Sequence, residues 1–305
     1  MTQFDVVGFG ALNVDKLFNV NRIAARGEES FIIDYNESCG GSAANTIVGL
    51  ARLGLSTGFV GKVADDREGQ LLLKDFRHEK VNTEGVVLEK AGRSGVAMGF
   101  VSQGGERALY VAPGVNDKID IKEIITRYVE RTEFLHLTSF VGEKSLDAQK
   151  KLVERLPDQV KISFDPGALY AEKGLPRLRP ILKETFAFLP NEAELELLTN
   201  RKYEAGSKVM LGEGVKIVAV KLSRKGCFIT DGEKNHLIEP FEVGAVDTTG
   251  AGDAWNAGFL YGLHEGRSLR ECGRIGNFVA SRCIVQMGAR AGLPRLADLR
   301  KNFMT

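Results

Sequence analysis

Apolar residues recur along this chain in two alternating rhythms. Short runs such as "FDVVGFG" (4–10), "STGFVGKV" (56–63), "TEFLHLTSF" (132–140), "VKISFDPG" (160–167), "TFAFLPN" (185–191) and "VKIVAVKLS" (215–223) are rich in β-branched and aromatic residues and read as strands. Between them, "SAANTIVGLARLG" (42–54), "REGQLLLKDFRHEK" (67–80) and "KSLDAQKKLVERL" (144–156) space their apolar residues three and four apart and read as helices. Strands alternating with helices predict an α/β protein with a mostly parallel sheet covered by helices. No fixed-period repeat underlies the pattern. Two stretches break the rhythm. Residues 16–37 and 84–112 read as strands and turns without a helix, and Gly104-Gly105 marks a hairpin in the second. Because these stretches are far apart in sequence, they predict one small β-sheet laid over the larger body as a lid, and residues 1–305 are expected to form a single domain.

Composition narrows the chemistry. The 305 residues are 43% hydrophobic, ample for a buried core, and 41 Lys+Arg against 40 Asp+Glu leave a net charge of +1. That balance calls for no basic surface for nucleic acid, and no acidic tail is present, so a small molecule is the expected partner. No apolar run approaches the roughly 18 residues of a membrane span. "MTQFDVVGFG" lacks the charged start and apolar stretch of a secretory signal, so neither membrane nor secretion is expected and the cytoplasm is the anticipated location. Cys39, Cys227, Cys272 and Cys283 are scattered without a CxxC, as buried thiols of a reducing compartment would be. His78, His136, His236 and His264 show no metal-ligand spacing.

The stretch "VGAVDTTGAGDAWNAGFLYGLHEG" (243–266) runs from an extended approach into a helical apolar pattern at Ala254, Ala257, Phe259, Leu260 and Leu263. Gly250 and Gly252 therefore fall where a helix begins, its NH groups are unpaired and its dipole end is positive, and the missing side chains let a ligand approach the backbone. An anion site is one reading; a glycine turn with Asp253 as a helix-entry carboxylate is the other. Asp253 bears on the choice. A carboxylate repels a bound anion, but it suits a base that takes the proton from an alcohol attacking phosphate.

"DTTGAGD" (247–253) and "CGGSAANTIVGLARLG" (39–54) together resemble the two signatures of the ribokinase-like (PfkB) carbohydrate kinases, in the family's order, and the resemblance extends through "GFGALNVD", "PGVN", "FDPG", "LPNEAE" and "VKLSRKGCF". It implies a three-layer ribokinase-like fold with a small β lid, ATP and magnesium as cofactors, Asp253 as catalytic base, and an anion hole from the backbone of Gly250, Ala251 and Gly252. It further implies that Asn191 and Glu194 of "NEAE" organise magnesium and phosphates through water, an element that otherwise reads as an ordinary helix start. Lys221, Ser223 and Gly226 are implied at the nucleotide, with Asn277 beside the adenine; a charged surface turn is the other reading of "KLSRKG". For the acceptor the resemblance points to Asp15, with Asn13 nearby, and to Gly40, Gly41 and Asn45. A carboxylate suits acceptor hydroxyls because it accepts two bonds and disfavours analogues lacking them. Asp165 of "FDPG" closes a strand where open α/β sheets bind ligands. A monovalent cation, potassium, is implied near Asp247 and Thr249 with the "MGARAG" loop (287–292), and lids of this type commonly pair into homodimers.

Other motifs fail on context. "GFGALN" has Asn13 where a dinucleotide fingerprint needs its third glycine, and Asp15 would repel pyrophosphate. "GLSTG" (54–58) runs helix to strand, the reverse of a nucleophile elbow, and no Walker A sequence is present. The expected activity is transfer of the γ-phosphoryl of ATP to a hydroxymethyl group of a sugar. A nucleoside kinase would share every motif, with Phe100 and Tyr110 as base-stacking candidates. A phosphosugar kinase would need a cationic grip, for which Arg93 and Arg107 are candidates. A ligand-binding regulator without catalysis would have no use for Asp253.

Overall fold

A computed structural model describes residues 3–104 and 106–303. In chain order its strands are β1 (Phe4–Phe9), β2 (Asn13–Val20), β3 (Ile32–Gly40), β4 (Thr57–Ala64), β5 (Val86–Glu89), β6 (Gly95–Ser102) and β7 (Arg107–Ala112). They continue with β8 (Thr132–Leu137), β9 (Lys161–Phe164), β10 (Thr185–Phe188), β11 (Ile217–Lys221), β12 (Cys227–Thr230) and β13 (Asn235–Ile238). Among the described residues they form a nine-stranded sheet, ordered β13-β12-β11-β10-β9-β8-β1-β4-β5, and a four-stranded sheet, ordered β3-β2-β6-β7. In the large sheet only the β11–β12 and β12–β13 pairs are antiparallel.

Alternate residues of one strand feed opposite cores, which is what a sheet covered on both faces requires. Val7 and Phe9 of β1 pack with the helices Glu143–Val153, Leu175–Leu182, Glu192–Thr199 and Tyr203–Gly212, whereas Val6 joins a core with Ser42–Arg52, Arg67–His78, Ala251–His264 and Leu269–Cys283. All eight residues of β4 are buried.

On the second face the helices approach closely because small residues meet. A Cβ added to Gly49 would stand 2.8 Å from the Ala257 methyl. One turn earlier on each helix, the same alignment brings Asn45 against Asp253.

The stretch 84–112 divides between the sheets: Val86–Glu89 pairs in parallel with β4 at the edge of the large sheet, and only β6 and β7 belong to the small one. A four-residue strand with no alternation of its own takes its place from the exposed edge of β4, a pairing that local pattern does not carry. At its other end the small sheet starts earlier than residue 16, since β2 begins at Asn13, with three residues between it and β1. Asn116, fully buried in "PGVN", fixes that crossing: its amide accepts from Leu12 N at 3.0 Å and donates to Leu12 O at 2.8 Å and Asn13 Oδ1 at 3.0 Å. Gly105 of the anticipated hairpin lies outside the described residues. No described helix is long and apolar enough to cross a membrane.

Candidate active site

The C-terminal ends of β1, β8, β9, β10 and β11 point the same way, because these strands are parallel, and the segments after them converge. Lys221 ends β11. Its ammonium donates to Asp165 Oδ2 at 2.6 Å and to Asn256 Oδ1 at 3.3 Å, and Asn256 Nδ2 donates to the same Asp165 oxygen at 2.6 Å. Asp165 and Lys221, read from sequence as parts of different subsites, are thus one buried ion pair. Burial alone would raise the Asp165 pKa, but Lys221 and Asn256 prevail and hold it below the usual carboxylate range.

Asn191 and Glu194 form a reciprocal capping box, with Glu194 accepting from Asn191 N and Nδ2 at 2.8 Å each and returning its own NH to Asn191 Oδ1 at 2.8 Å. The ordinary helix start is therefore present, in a site-facing place: burial and then the nearby Asp165 push Glu194 up to about 7, against Lys221.

Gly250 precedes Ala251–His264 in the left-handed region at φ 76°, and no side chain caps this helix. The two glycines of the loop have different duties. A Cβ on Gly250 would press on Ala289, whereas one on Gly252 would meet only Lys221, 3.6 Å from its Nζ. Asp253, in the first turn, accepts from Asn45 Nδ2 through Oδ2 at 2.9 Å, and Thr46 Oγ1 donates to its carbonyl at 3.2 Å. Burial pushes Asp253 up to about 7; Asp165 adds to the rise, while Asn45, Lys221 and Arg290 oppose it.

Asp15, on β2, lies over Gly40, where a Cβ would overlap its carboxylate. Among the described residues no donor reaches that carboxylate, and burial pushes it up to about 6 against the charges of Arg290 and Arg107. Gly41, at φ 106°, abuts the Ala11 carbonyl and starts the helix Ser42–Arg52, so its missing side chain answers first to backbone packing. Asp247 accepts from Thr249 N and Oγ1 through Oδ1 and from Gly288 N through Oδ2, which ties the turn before Gly250 to the 287–292 loop.

Three anticipated positions stand apart from this cluster. Ser223 is exposed in the β11–β12 turn, Gly226 adopts the φ of 85° which that turn needs, and the Asn277 amide is committed to Trp255 Nε1, Ile238 O and Glu239 O. Conversely, sequence reasoning missed Asn256, Asn116 and Arg290. Asn256 lies one turn beyond Asp253 on the same helix, a spacing that could have found it. Arg290 is buried and donates through Nε to Asn45 Oδ1 at 2.7 Å and through Nη1 to Asp75, while Nη2 is buried without a partner among the described residues.

Comparison with known proteins agrees with this architecture. The model of the "pfkB family carbohydrate kinase" matches residues 3–296. The chain belongs to that family. It is similar to an uncharacterized sugar kinase of Archaeoglobus fulgidus, 48% identical over 254 residues, covering 82% of this chain and 100% of that protein. It is also similar to an ATP-dependent ribose-1-phosphate kinase of Halopiger xanaduensis, 33% identical over 84% of this chain and 83% of that protein. Arabidopsis thaliana ribokinase, solved with ribose and ATP, superposes with a TM-score of 0.85 at 26% identity, covering 99% of this chain and 98% of that one. The protein is accordingly a phosphotransferase of the sugar-kinase class with the ribokinase fold.

A carboxyl whose pKa rises on folding stabilises the fold below its unfolded pKa, and that contribution is lost as pH climbs through the folded value. For Asp253 the loss spans the interval from the ordinary aspartate value of 3.8 to about 7. Asp253→Asn is therefore expected to gain in melting temperature over the native protein by on the order of a few degrees between about pH 4 and about pH 7, and to hold that gain above it. Thermal denaturation across that range checks it, and an offset independent of pH would contradict it.

Proposed function

We propose that this sugar kinase transfers the γ-phosphoryl group of ATP to a hydroxymethyl group of its sugar, with Asp253 as the base. The observation that carries the reading is the placing of Asp253 in the first turn of an uncapped helix, with only Oδ2 engaged by Asn45. Oδ1 is left to take the proton of the attacking hydroxyl, and a pKa of about 7 suits proton transfer near neutrality. The NH groups of Gly250 and Gly252 would face the oxygens of the transferring phosphoryl group, while that of Ala251, which donates to the Thr248 carbonyl at 3.2 Å, would join them only by leaving that bond; Lys221, 3.6 Å from a Cβ at Gly252, lies within reach of the same charge. Asp15, without a donor among the described residues, would accept the acceptor's hydroxyls, with Asn13 beside it over Gly40 and Gly41, while the Asn45 amide is taken up by Asp253 and Arg290 and serves the base instead.

Three carboxylates, Asp253, Asp165 and Glu194, share the ammonium of Lys221, so the site is short of positive charge. Each Glu194 oxygen retains a lone pair beyond its bond to Asn191, which fits hydrated magnesium arriving with the nucleotide. Magnesium supplies neutralisation of charge on the phosphates. The nucleotide would run over Asn191, Lys221 and the Ser223–Gly226 turn, with Asn277 beneath through its packing surface. Potassium beside Asp247, Thr249 and the 287–292 loop belongs to the same reading.

A second reading is favoured by Arg107. Its charge reaches both Asp15 and Asp247 from β7, where it could grip a phosphate already on the acceptor, as the similarity to a ribose-1-phosphate kinase also suggests. Arg93 is exposed ahead of β6. The nucleoside alternative gains little from Phe100 and Tyr110: Phe100 stacks on Phe18, and the pairing of Asp15 with Ala97 puts Phe100 on the sheet's other face. That other face carries Ile33, Tyr35 and Tyr110, each more than half exposed, and we assign it to a homodimer contact between small sheets.

Asp253→Asn is expected to lower kcat by roughly a hundredfold to ten-thousandfold while ATP binding persists. A panel of pentoses, hexoses, sugar phosphates and nucleosides with ATP and magnesium, with and without potassium, should show one preferred class whose deoxy analogue is disfavoured by up to roughly ten-thousandfold until Asp15→Ala removes the difference. Turnover unaffected by Asp253→Asn would refute the mechanism, and turnover of phosphorylated sugars alone would put the Arg107 reading first. By sedimentation velocity, Tyr35→Lys with Tyr110→Lys should convert a dimer to a monomer; a native protein that is already monomeric at assay concentration would dismiss the contact.

A further inference from the structure

Behind Asp253 the polar groups form a single file reaching the far side of the helix Ser42–Arg52. Asp75, on the helix Arg67–His78, accepts from Arg290 Nη1; Arg290 Nε donates to Asn45 Oδ1 at 2.7 Å; Asn45 Nδ2 donates to Asp253 Oδ2 at 2.9 Å. An amide can turn over by half a turn and exchange its donor for its acceptor at little cost in shape. Here it cannot do so freely. With a guanidinium N–H against Oδ1, the reversed amide would set NH₂ against Arg290 and an oxygen against the Asp253 carboxylate, two repulsive contacts at once. Asn45 is itself buried, and Arg290 is anchored at a second point, since Arg52 Nη1 donates to its carbonyl at 2.5 Å.

We infer that Arg290 is a positioning residue for phosphoryl transfer: by fixing the Asn45 amide it holds Asp253 with Oδ2 engaged and Oδ1 directed at the acceptor. The inference rests on Asp253 being the base. Arg290 touches no reacting atom in this arrangement; it acts through Asn45. Its charge also favours the ionised Asp253, as does Lys221, against Asp165 just after β9. Removing Arg290 therefore leaves Asp253 both freer to turn and harder to ionise.

The test is steady-state kinetics of the full-length protein on its preferred acceptor. Arg290→Met is expected to lower kcat about ten- to a hundredfold with the KM values for acceptor and ATP little changed, and to move the acid limb of the kcat profile to higher pH. Arg290→Lys, which can still donate to Asn45, should recover most of the loss. Because Arg290→Met leaves Asp75 unpaired and could fold poorly, Asp75→Asn supplies a gentler variant: it loosens Arg290 from its far end and should show the same kcat effect in smaller degree. In the double variant Arg290→Met with Asn45→Ala, turnover should fall no further than in Asn45→Ala alone, as expected for residues acting in series. Additive losses in that double variant, or a native kcat in both Arg290→Met and Asp75→Asn, would overturn the inference. A raised acceptor KM with unchanged kcat would do so too, by making Arg290 a direct acceptor ligand through Nη2. Failure of the base assignment itself is distinguished by Asp253→Asn: if that variant turns over normally, the underlying mechanism falls, whereas a dead Asp253→Asn beside a native Arg290→Met defeats only the relay.

Discussion

The charge balance around Lys221 is the constraint on which the site depends. One ammonium at the end of β11 serves Asp165 at 2.6 Å, with Glu194 and Asp253 nearby, in a space from which most water is excluded. A buried ammonium survives only if paired, and Asp165 has captured the pair, aided by Asn256. Burial pushes the remaining two carboxylates up to about 7, because the opposing charge left to them is too small to offset it, while Asp165 stays low. An arrangement short of positive charge, beside an uncapped helix start, is prepared for a ligand that brings an anion together with its own cation.

The fold creates that balance through topology. Asp165, Asn191, Lys221 and Asp253 come from four separate segments, and they meet because β9, β10 and β11 are parallel neighbours whose ends stop at one level. The helix carrying Asp253 is fixed on its other side by Gly49 against Ala257, and that close approach brings Asn45 into reach. Asp15 arrives differently, on a strand that leaves the large sheet almost at once, with Asn116 holding the crossing. On the proposed mechanism the acceptor's carboxylate is thus borne on the small sheet and the base on the large body, so movement between them would assemble or part the two.

Much of this was legible in the sequence because it is local. The alternating rhythm gave the layered architecture, and "GAGD" at the change from extended to helical pattern marked an uncapped helix start with a carboxylate in its first turn. "NEAE" reads as an ordinary helix start, and the helix it starts carries a capping box. What could not be read locally were the pairings: Asp165 with Lys221 across 56 positions, Asn45 with Arg290 across 245, Asn116 with Leu12 across 104. β5 was assigned to the wrong sheet because four residues without alternation carry no information about which edge they join. Ser223 and Gly226 show the reverse limit, a turn whose glycine is explained by its φ alone.

The account stands on Asp253 being a reluctant acid in the free protein. The direct measurement is a ¹³C NMR titration of the aspartate carboxyls in ligand-free protein, with Asp253→Asn supplying the assignment and separating this group from Glu194. An Asp253 midpoint close to 7, falling when Asp165 is replaced by Asn, is the predicted result. A midpoint near the ordinary carboxylate value of 3.8 would mean that Lys221 and Arg290 already satisfy Asp253, and the charge deficit at the centre of the account would not exist.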